Sequence, residues 1–249
     1  MSYEQIEVTT QGNVATVTMS RSDALNAITP TMLGELNDAI DALVADSGVH
    51  VAILTGAGRA FSAGVDLKAL GDRELTGGSV GDILDVPARS LTDKLANGPL
   101  VTIAKVNGFC FTGALELALA CDLMVTANEA KMADTHAKFG LRPTWGMSQR
   151  LPALVGMARA RELSYTARTF TGAEAAQMGM ACRSAPLDQL DAAVDALAAT
   201  VGESSPGSLA AYKDLYKIAE TAGLADGLAY EYSHNYEITD TDGRLASFR

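Results

Sequence analysis

The feature that most constrains the fold is an alternation of short, largely apolar runs with segments of helical periodicity. The runs at 49–55, 100–106 and 123–127 are mostly apolar, which is typical of strands buried on both faces. Apolar residues recur at helical spacing over 30–46, before the first run, and over 84–95, before the second. The sequence therefore predicts an α/β architecture.

The two ends of the chain carry different patterns. Near the start, two runs of alternating apolar and polar residues flank Gly12, which predicts a hairpin. From about Met157 the pattern predicts helix throughout. We therefore expect a core over residues 1–195 and a helical region over 196–249. A glycine-rich stretch at 72–82 without periodicity predicts a loop that can act as a lid.

Charge and composition exclude several classes of protein. The 249 residues include 30 acidic and 19 basic side chains, a net charge of −11, and no basic run, which argues against a nucleic-acid partner. The first residues show no basic n-region followed by an apolar stretch, and no later window is apolar enough to span a membrane, so we expect neither a signal peptide nor a membrane span. The three cysteines show no C-x-x-C spacing. We expect a cytoplasmic protein without a disulfide framework or metal site.

The segment 107–120 turns from a predicted strand into a helix of small residues that contains Glu116. Glu116 has no cationic side chain three or four positions away. A carboxylate on such a face is costly to bury unless it is paired or used, and burial would raise its pKa towards the range useful for acid–base work. The alternative is a first-turn glutamate stabilised by the helix dipole.

Two further segments can carry chemistry. The turn at 58–68 can present backbone N–H groups to an anion or oxyanion, or can be an ordinary connection. The segment 132–151 holds His136, one of three histidines, and Trp145, the only tryptophan. His136 can handle a proton or bind a substrate, although the local sequence favours a structural or solvated role. Trp145 is of a type more often found in the core or at an interface.

Taken together, these segments resemble the crotonase family, the enoyl-CoA hydratase/isomerase superfamily. The matching blocks occur in the family's order: Asp23–Ala27, Phe61–Lys68, Asn107–Asp122, and Gly146–Leu151 followed by Val155-Gly156. The resemblance covers nearly the whole chain. It implies a ββα spiral core and a C-terminal helical region that trimerises and covers the active site, in a homotrimer or a dimer of trimers.

The resemblance also implies an acyl-CoA thioester as the substrate, with no separate cofactor. The thioester carbonyl would be held by the backbone N–H groups of Val65 and Gly113, which form the family's oxyanion hole. The implied CoA contacts are Ala24, Leu25, Ala63, Val65, Asp66, Leu67 and Lys68. Asp23 departs from the basic residue common in relatives, and an acid there would repel a CoA phosphate.

The family's two catalytic glutamates correspond to Glu116 and to the position of His136. Loss of a positioned acid–base group costs about 10²- to 10⁴-fold in rate, unless His136 or Asp134 substitutes. We therefore expect a hydratase-like lyase that adds or removes water at the α,β double bond of an acyl-CoA. Alternatives are a decarboxylase, an isomerase, a thioester hydrolase or a non-catalytic acyl-CoA binder.

Aromatic residues outside these motifs have two expected roles. The candidates for shaping the acyl pocket are Phe109, Phe111 and Trp145. The candidates for closing the site or building an interface are Tyr212, Lys213, Tyr216 and Tyr230.

Overall fold

The computed structural model describes residues 2–70 and 76–246. The predicted loop at 72–82 therefore lies partly outside the described residues, and only its portion from Thr76 is described. Among the helices that are described, none is long and apolar enough to cross a membrane.

The strands follow the predicted apolar runs and add several shorter ones. They are β1 (Ile6–Gln11), β2 (Val14–Met19), β3 (Val51–Gly56), β4 (Ala60–Ser62), β5 (Val101–Val106), β6 (Phe109–Phe111), β7 (Leu123–Ala127), β8 (Lys131–Ala133), β9 (Phe170–Thr171) and β10 (Arg183–Ala185). The predicted hairpin is confirmed as the antiparallel pair β1–β2. Every residue of β3 is buried, as its apolar run predicted.

The strands form two sheets. The larger has the order β1-β2-β3-β5-β7-β10, and all its pairs after the first are parallel. The smaller has the order β4-β6-β8-β9, with β4, β6 and β8 parallel to one another. Because the carboxyl ends of parallel strands lie at one edge, the segments that follow β4, β6 and β8 emerge side by side.

The helices surround these sheets and extend to the C-terminus. They are α1 (Pro30–Ala45), α2 (Asp82–Asn97), α3 (Gly113–Ala120), α4 (Met147–Val155), α5 (Met157–Thr166), α6 (Gly172–Gln177), α7 (Leu190–Gly202), α8 (Pro206–Thr221), α9 (Leu224–Ser233) and α10 (Thr241–Ala246). The Thr29 side chain caps α1 by accepting from the Met32 N–H at 3.0 Å, and Pro30 suits the first turn. The architecture is the predicted α/β core with a helical C-terminal region.

The prediction of unbroken helix from about Met157 is wrong. The strand β9 pairs with β8, and β10 completes the larger sheet beside β7. Strands of two or three residues are too short to show an alternating pattern, and in β10 the pairing partner is 58 residues away. The described chain after Leu190 contains helices and their connections.

Candidate active site

Three loops meet at the carboxyl edge of the smaller sheet. The segment Ala63–Val65 follows β4, Thr112 and Gly113 follow β6, and the segment 134–136 follows β8. Gly64 has a φ of +91°, and a Cβ there would lie 2.8 Å from the Phe111 carbonyl oxygen. The first loop thus packs directly against the second. The sequence predicted these two loops only as separate motifs.

Glu116 lies in the first turn of α3 and is 1% exposed. Its Oε1 accepts from the backbone N–H groups of Trp145 at 2.9 Å and Met147 at 3.0 Å. Burial raises the pKa of this carboxyl, although these bonds and the nearby His136 act against the shift. The structure thus shows a carboxylate that is buried and that also lies in the first helical turn, where the helix dipole favours a negative charge.

His136 is also buried, and it lies between two carboxylates. Its Nε2 is 3.5 Å from Glu116 Oε2, and its Nδ1 is 2.7 Å from Asp134 Oδ1. Asp134 Oδ1 also accepts from the His136 backbone N–H, and Oδ2 accepts from the Ser164 hydroxyl of α5 at 2.7 Å. Local sequence favoured a structural or solvated role for His136; the structure shows a buried imidazole whose Nε2 faces Glu116.

The charge state of Asp134 determines which nitrogen of His136 carries the proton. Burial alone would raise the pKa of Asp134, but hydrogen bonds from His136 and Ser164 outweigh it and leave the pKa below its ordinary value. An ionised carboxylate can only accept, so His136 Nδ1 carries the hydrogen. In the neutral imidazole, Nε2 is then an acceptor that faces Glu116.

The backbone N–H groups of Val65 and Gly113 have no hydrogen-bond partner within residues 2–70 and 76–246. The carbonyls and amides beside Val65 are paired, since Ile28 N–H donates to Gly64 O and Asp66 N–H donates to Ile28 O. These bonds hold Val65 in place with its N–H available.

Thr112 directs the start of α3 through an unusual backbone conformation. Its φ of 54° and ψ of −111° are rare for a β-branched residue, and strain of this kind concentrates at functional sites. Its N–H donates to Ala133 O, its carbonyl accepts from Glu116 N–H, and its hydroxyl bonds the hydroxyl of Thr135. The strained residue therefore joins β6, β8 and α3 immediately before the Gly113 N–H.

Trp145 is 2% exposed and packs against the start of α3. A Cβ on Gly113 would lie 2.6 Å from Trp145 Cζ3, so only glycine lets the indole lie this close to the backbone. The other two candidates for the acyl pocket, Phe109 and Phe111, are half-buried with ring centroids 5.8 Å apart. Trp145 is thus a core residue in contact with the predicted oxyanion hole.

The expected CoA-binding residues lie together at one corner. Ala24 and Leu25 form a tight turn, and Ala63 N–H donates to Leu25 O at 2.9 Å. The Asp66 carboxylate is paired with Arg21 at 3.1 Å, so this side chain is already engaged. The remaining candidates, Val65, Leu67 and Lys68, continue the same segment, and Leu67 and Lys68 are exposed.

Lys213, a candidate for closing the site or building an interface, is bonded within the chain. Its Nζ donates to the carbonyl oxygens of Leu95 and Leu100 and to the Asp122 carboxylate, at 3.0, 2.7 and 2.8 Å. Its side chain is 8% exposed, so it attaches α8 to the core. The sequence around Lys213 does not predict these partners, because they are at least 91 residues away along the chain.

Tyr212, Tyr216 and Tyr230 differ from one another in their surroundings. The Tyr230 hydroxyl donates to Asp214 Oδ2 at 2.8 Å, which ties α9 to α8. The rings of Tyr212 and Tyr216 are exposed, with centroids 5.6 Å apart. These two therefore remain available for contact with another surface.

The chain matches the model of the enoyl-CoA hydratase/isomerase family over residues 9–247. It belongs to this family. A Mycobacterium bovis protein named "Probable enoyl-CoA hydratase echA8" is 34% identical over 251 residues, which cover 100% of this chain and 96% of that protein. The Hydroxycinnamoyl-CoA hydratase-lyase of Pseudomonas fluorescens is 32% identical over 97% of this chain and 89% of its own length.

Solved structures of the enoyl-CoA hydratase/isomerase family share the fold. The crystal structure of an enoyl-CoA hydratase from Bacillus anthracis has a TM-score of 0.87 at 28% identity and covers 92% of this chain and 88% of its own. A Thermobifida fusca crystal structure in complex with CoA has a TM-score of 0.83 at 32% identity, over 98% and 94% of the two chains. Family membership supports enzymatic, hydratase-like chemistry on acyl-CoA thioesters.

Proposed function

We propose that the protein adds water to, or removes it from, the α,β double bond of an enoyl-CoA thioester. The observation that carries this proposal is the 2.7 Å bond from His136 to Asp134, which presents Nε2 as an acceptor 3.5 Å from Glu116 Oε2. Two carboxylates serve this purpose in the hydratases that the sequence resembles, and both can accept a proton from water. Asp134 gives His136 the same capacity.

The spacing suits one water molecule held by both groups. A separation of 3.5 Å exceeds the usual 2.7–3.2 Å for a direct N–H···O bond, but a water can contact both atoms at ordinary distances. Donating one hydrogen to Glu116 Oε2 and one to His136 Nε2 directs the water's lone pairs away from both acceptors. In this proposal those lone pairs face the substrate.

The proton balance follows from this arrangement. As the water oxygen adds to the β-carbon, Glu116 accepts one of its protons, and the resulting acid returns that proton to the α-carbon of the enolate. The water supplies the hydroxyl group on the β-carbon and the hydrogen on the α-carbon, and Glu116 ends ionised as it began. Burial raises the pKa of Glu116, which makes its carboxylate a stronger base for the first transfer.

The enolate intermediate places negative charge on the thioester oxygen. Val65 and Gly113 would supply two preorganised N–H donors to it, and loss of one such donor typically costs about 10²- to 10³-fold. The unpartnered state of both amides within the described residues supports this role. The segments at Ala24–Leu25 and Ala63–Lys68 would hold the CoA portion, with Lys68 as the candidate phosphate contact.

The test is to incubate the purified protein with crotonyl-CoA and to follow enoyl-thioester absorbance and product mass. We expect the wild type to add one water and Glu116→Gln to lose about 10²- to 10⁴-fold in rate while still binding the thioester. Glu203→Gln, at an exposed position, is the matched control and should retain activity. Unchanged turnover in Glu116→Gln would contradict the proposal.

Other acyl-CoA reactions give different products in the same assay. A wild type that binds crotonyl-CoA but adds no water would contradict hydration of this substrate. Loss of carbon dioxide from a malonyl-type thioester, or release of free CoA, would then indicate decarboxylation or thioester hydrolysis. Binding without any change in mass across such thioesters would indicate a non-catalytic binder.

A further inference from the structure

Asp85 is a buried carboxylate with no part in the chemistry described above. It lies in the first turn of α2 and is 0% exposed. Its Oδ1 accepts from Trp145 Nε1 at 2.8 Å and from the Thr144 hydroxyl at 2.7 Å, while Oδ2 accepts from the Ser79 hydroxyl and faces Arg89 at 3.6 Å. A buried charge with this many donors is stabilised where it stands.

The Trp145 residue held by Asp85 is also bonded at both ends of its backbone. Its N–H donates to Glu116 Oε1 at 2.9 Å, and its carbonyl accepts from Arg150 Nη1 at 2.9 Å. Its indole lies against Gly113, where an added Cβ would come within 2.6 Å of the ring. One residue therefore contacts the proposed acid–base group and the proposed oxyanion donor.

We propose that Asp85 is a positioning residue for the proposed acyl-CoA reaction, because it fixes the Trp145 indole and thereby the N–H group that orients Glu116. The inference rests on the proposed function for its catalytic consequence. Its structural half, that Asp85 holds Trp145 in place, depends only on the hydrogen bonds described above.

The same carboxylate joins three separate parts of the chain. Ser79 belongs to the loop before α2, and the neighbouring Gly78 carbonyl accepts from the Arg142 N–H at 2.9 Å. Thr144 and Trp145 belong to the turn before α4. Asp85 thus fixes the loop, the helix α2 and the turn relative to one another.

Two substitutions distinguish the effect of the negative charge of Asp85 from the effect of its hydrogen-bond acceptors. Asp85→Asn keeps the oxygen that accepts from Trp145, and the Ser79 hydroxyl can rotate to accept from the new amide. Asp85→Ala removes every acceptor. Misplacing a catalytic group by about 1 Å can cost about 10²-fold, so we expect Asp85→Ala to lower kcat by about that factor with a smaller change in KM. Asp85→Asn should retain most of kcat.

Trp145 provides a spectroscopic measurement that does not require turnover. It is the only tryptophan, so the intrinsic emission reports on this one side chain. We expect Asp85→Ala to shift the emission maximum to longer wavelength and Asp85→Asn to leave it close to wild type. Asp93→Ala, on an exposed face of the same helix, is the matched control and should change neither emission nor kcat.

The outcomes distinguish this inference from the proposed function. A wild type without hydratase activity would contradict the proposed function. Unchanged emission in Asp85→Ala would contradict the inference that Asp85 fixes the Trp145 indole. Shifted emission with unchanged kcat would overturn the positioning role. If Asp85→Ala does not fold, Trp145→Phe removes the indole donor while keeping the N–H to Glu116, and unchanged kcat in that variant would overturn the inference.

Discussion

At the scale of single residues, the burial of Glu116 has a cost in stability. Its carboxyl is almost fully buried, and its Oε2 lies 3.5 Å from His136 Nε2. Burial raises its pKa, so ionising Glu116 costs more free energy in the folded protein than in the unfolded chain. Its contribution to stability is therefore present below the ordinary carboxylate pKa of about 4.3 and is lost as pH rises through the higher folded value.

This linkage predicts that Glu116→Gln is more stable than the wild type at about pH 8. The amide oxygen can still accept from Trp145 and Met147, while the buried charge is gone. Each 1 kcal/mol gained would raise Tm by about 2–4 °C in a chain of this size, and we expect a shift of a few degrees. Thermal unfolding at a series of pH values should show that the difference in Tm between the variant and the wild type becomes smaller towards about pH 5. A less stable variant at about pH 8, or a gap that widens as pH falls, would contradict this account.

The sequence points to the residues of the proposed reaction more readily than to the residues that orient them. Glu116 stands out because a carboxylate among small residues needs a partner, and the resemblance led to His136. The donors to Glu116 come from Trp145 and Met147, 29 and 31 residues away, and Asp85 is 60 residues from the indole it binds. Separations of this size are set by the fold, and no local pattern reveals them. Asp85 itself reads as an ordinary first-turn acid of α2.

At the scale of elements, the long apolar strands were predictable and the short strands were not. The strands β3, β5 and β7 are five or six residues long and mostly apolar. Strands β4, β6 and β8 have three residues each, and their stability comes from pairing with one another. These short strands bring the site together, so the sequence predicted the motifs without predicting their meeting point.

The helix α8 is attached to the core through Lys213, which predicts a large effect of a single substitution. Lys213→Met keeps the apolar stem but removes the ammonium that donates to two carbonyl oxygens and to the Asp122 carboxylate. Hydrogen bonds to charged groups contribute about 1.5–3 kcal/mol, so we expect the free energy of unfolding to fall by about 2–3 kcal/mol in urea denaturation. Lys217→Met, one turn further along on an exposed face, should change it by less than about 0.5 kcal/mol. Equal effects of the two substitutions would show that Lys213 does not secure α8.

At the scale of the whole molecule, α8 and α9 leave an apolar groove exposed. It encloses about 350 Å³ and is lined by Tyr212, Leu215, Tyr216, Ala219, Ala222, Gly223, Leu224, Gly227, Leu228 and Glu231. Leu224 is 81% exposed, and Tyr216 is 64% exposed. Contiguous exposed aromatic and aliphatic side chains are typical of an interface. Together with the assembly implied by the resemblance, the groove leads us to propose that copies of this chain meet here.

This proposal predicts that one charge in the groove weakens self-association. The wild type should have the mass of a trimer or a dimer of trimers in light scattering after size-exclusion chromatography. Leu224→Glu would bury a carboxylate without a partner and should shift the protein to smaller species. Leu187→Glu, at an exposed leucine outside the groove, should leave the mass unchanged. A monomeric wild type, or a Leu224→Glu variant of unchanged mass, would contradict the proposed contact.

The most direct test of the central claim is the kcat for crotonyl-CoA hydration in Glu116→Gln, His136→Gln and the double variant. If both residues hold one water, each single substitution should lower kcat by about 10²- to 10⁴-fold, and the double variant should be about as slow as the slower single. His234→Gln, at an exposed histidine, should retain wild-type kcat. A wild-type kcat in His136→Gln, or two losses that multiply in the double variant, would contradict a shared role for Glu116 and His136.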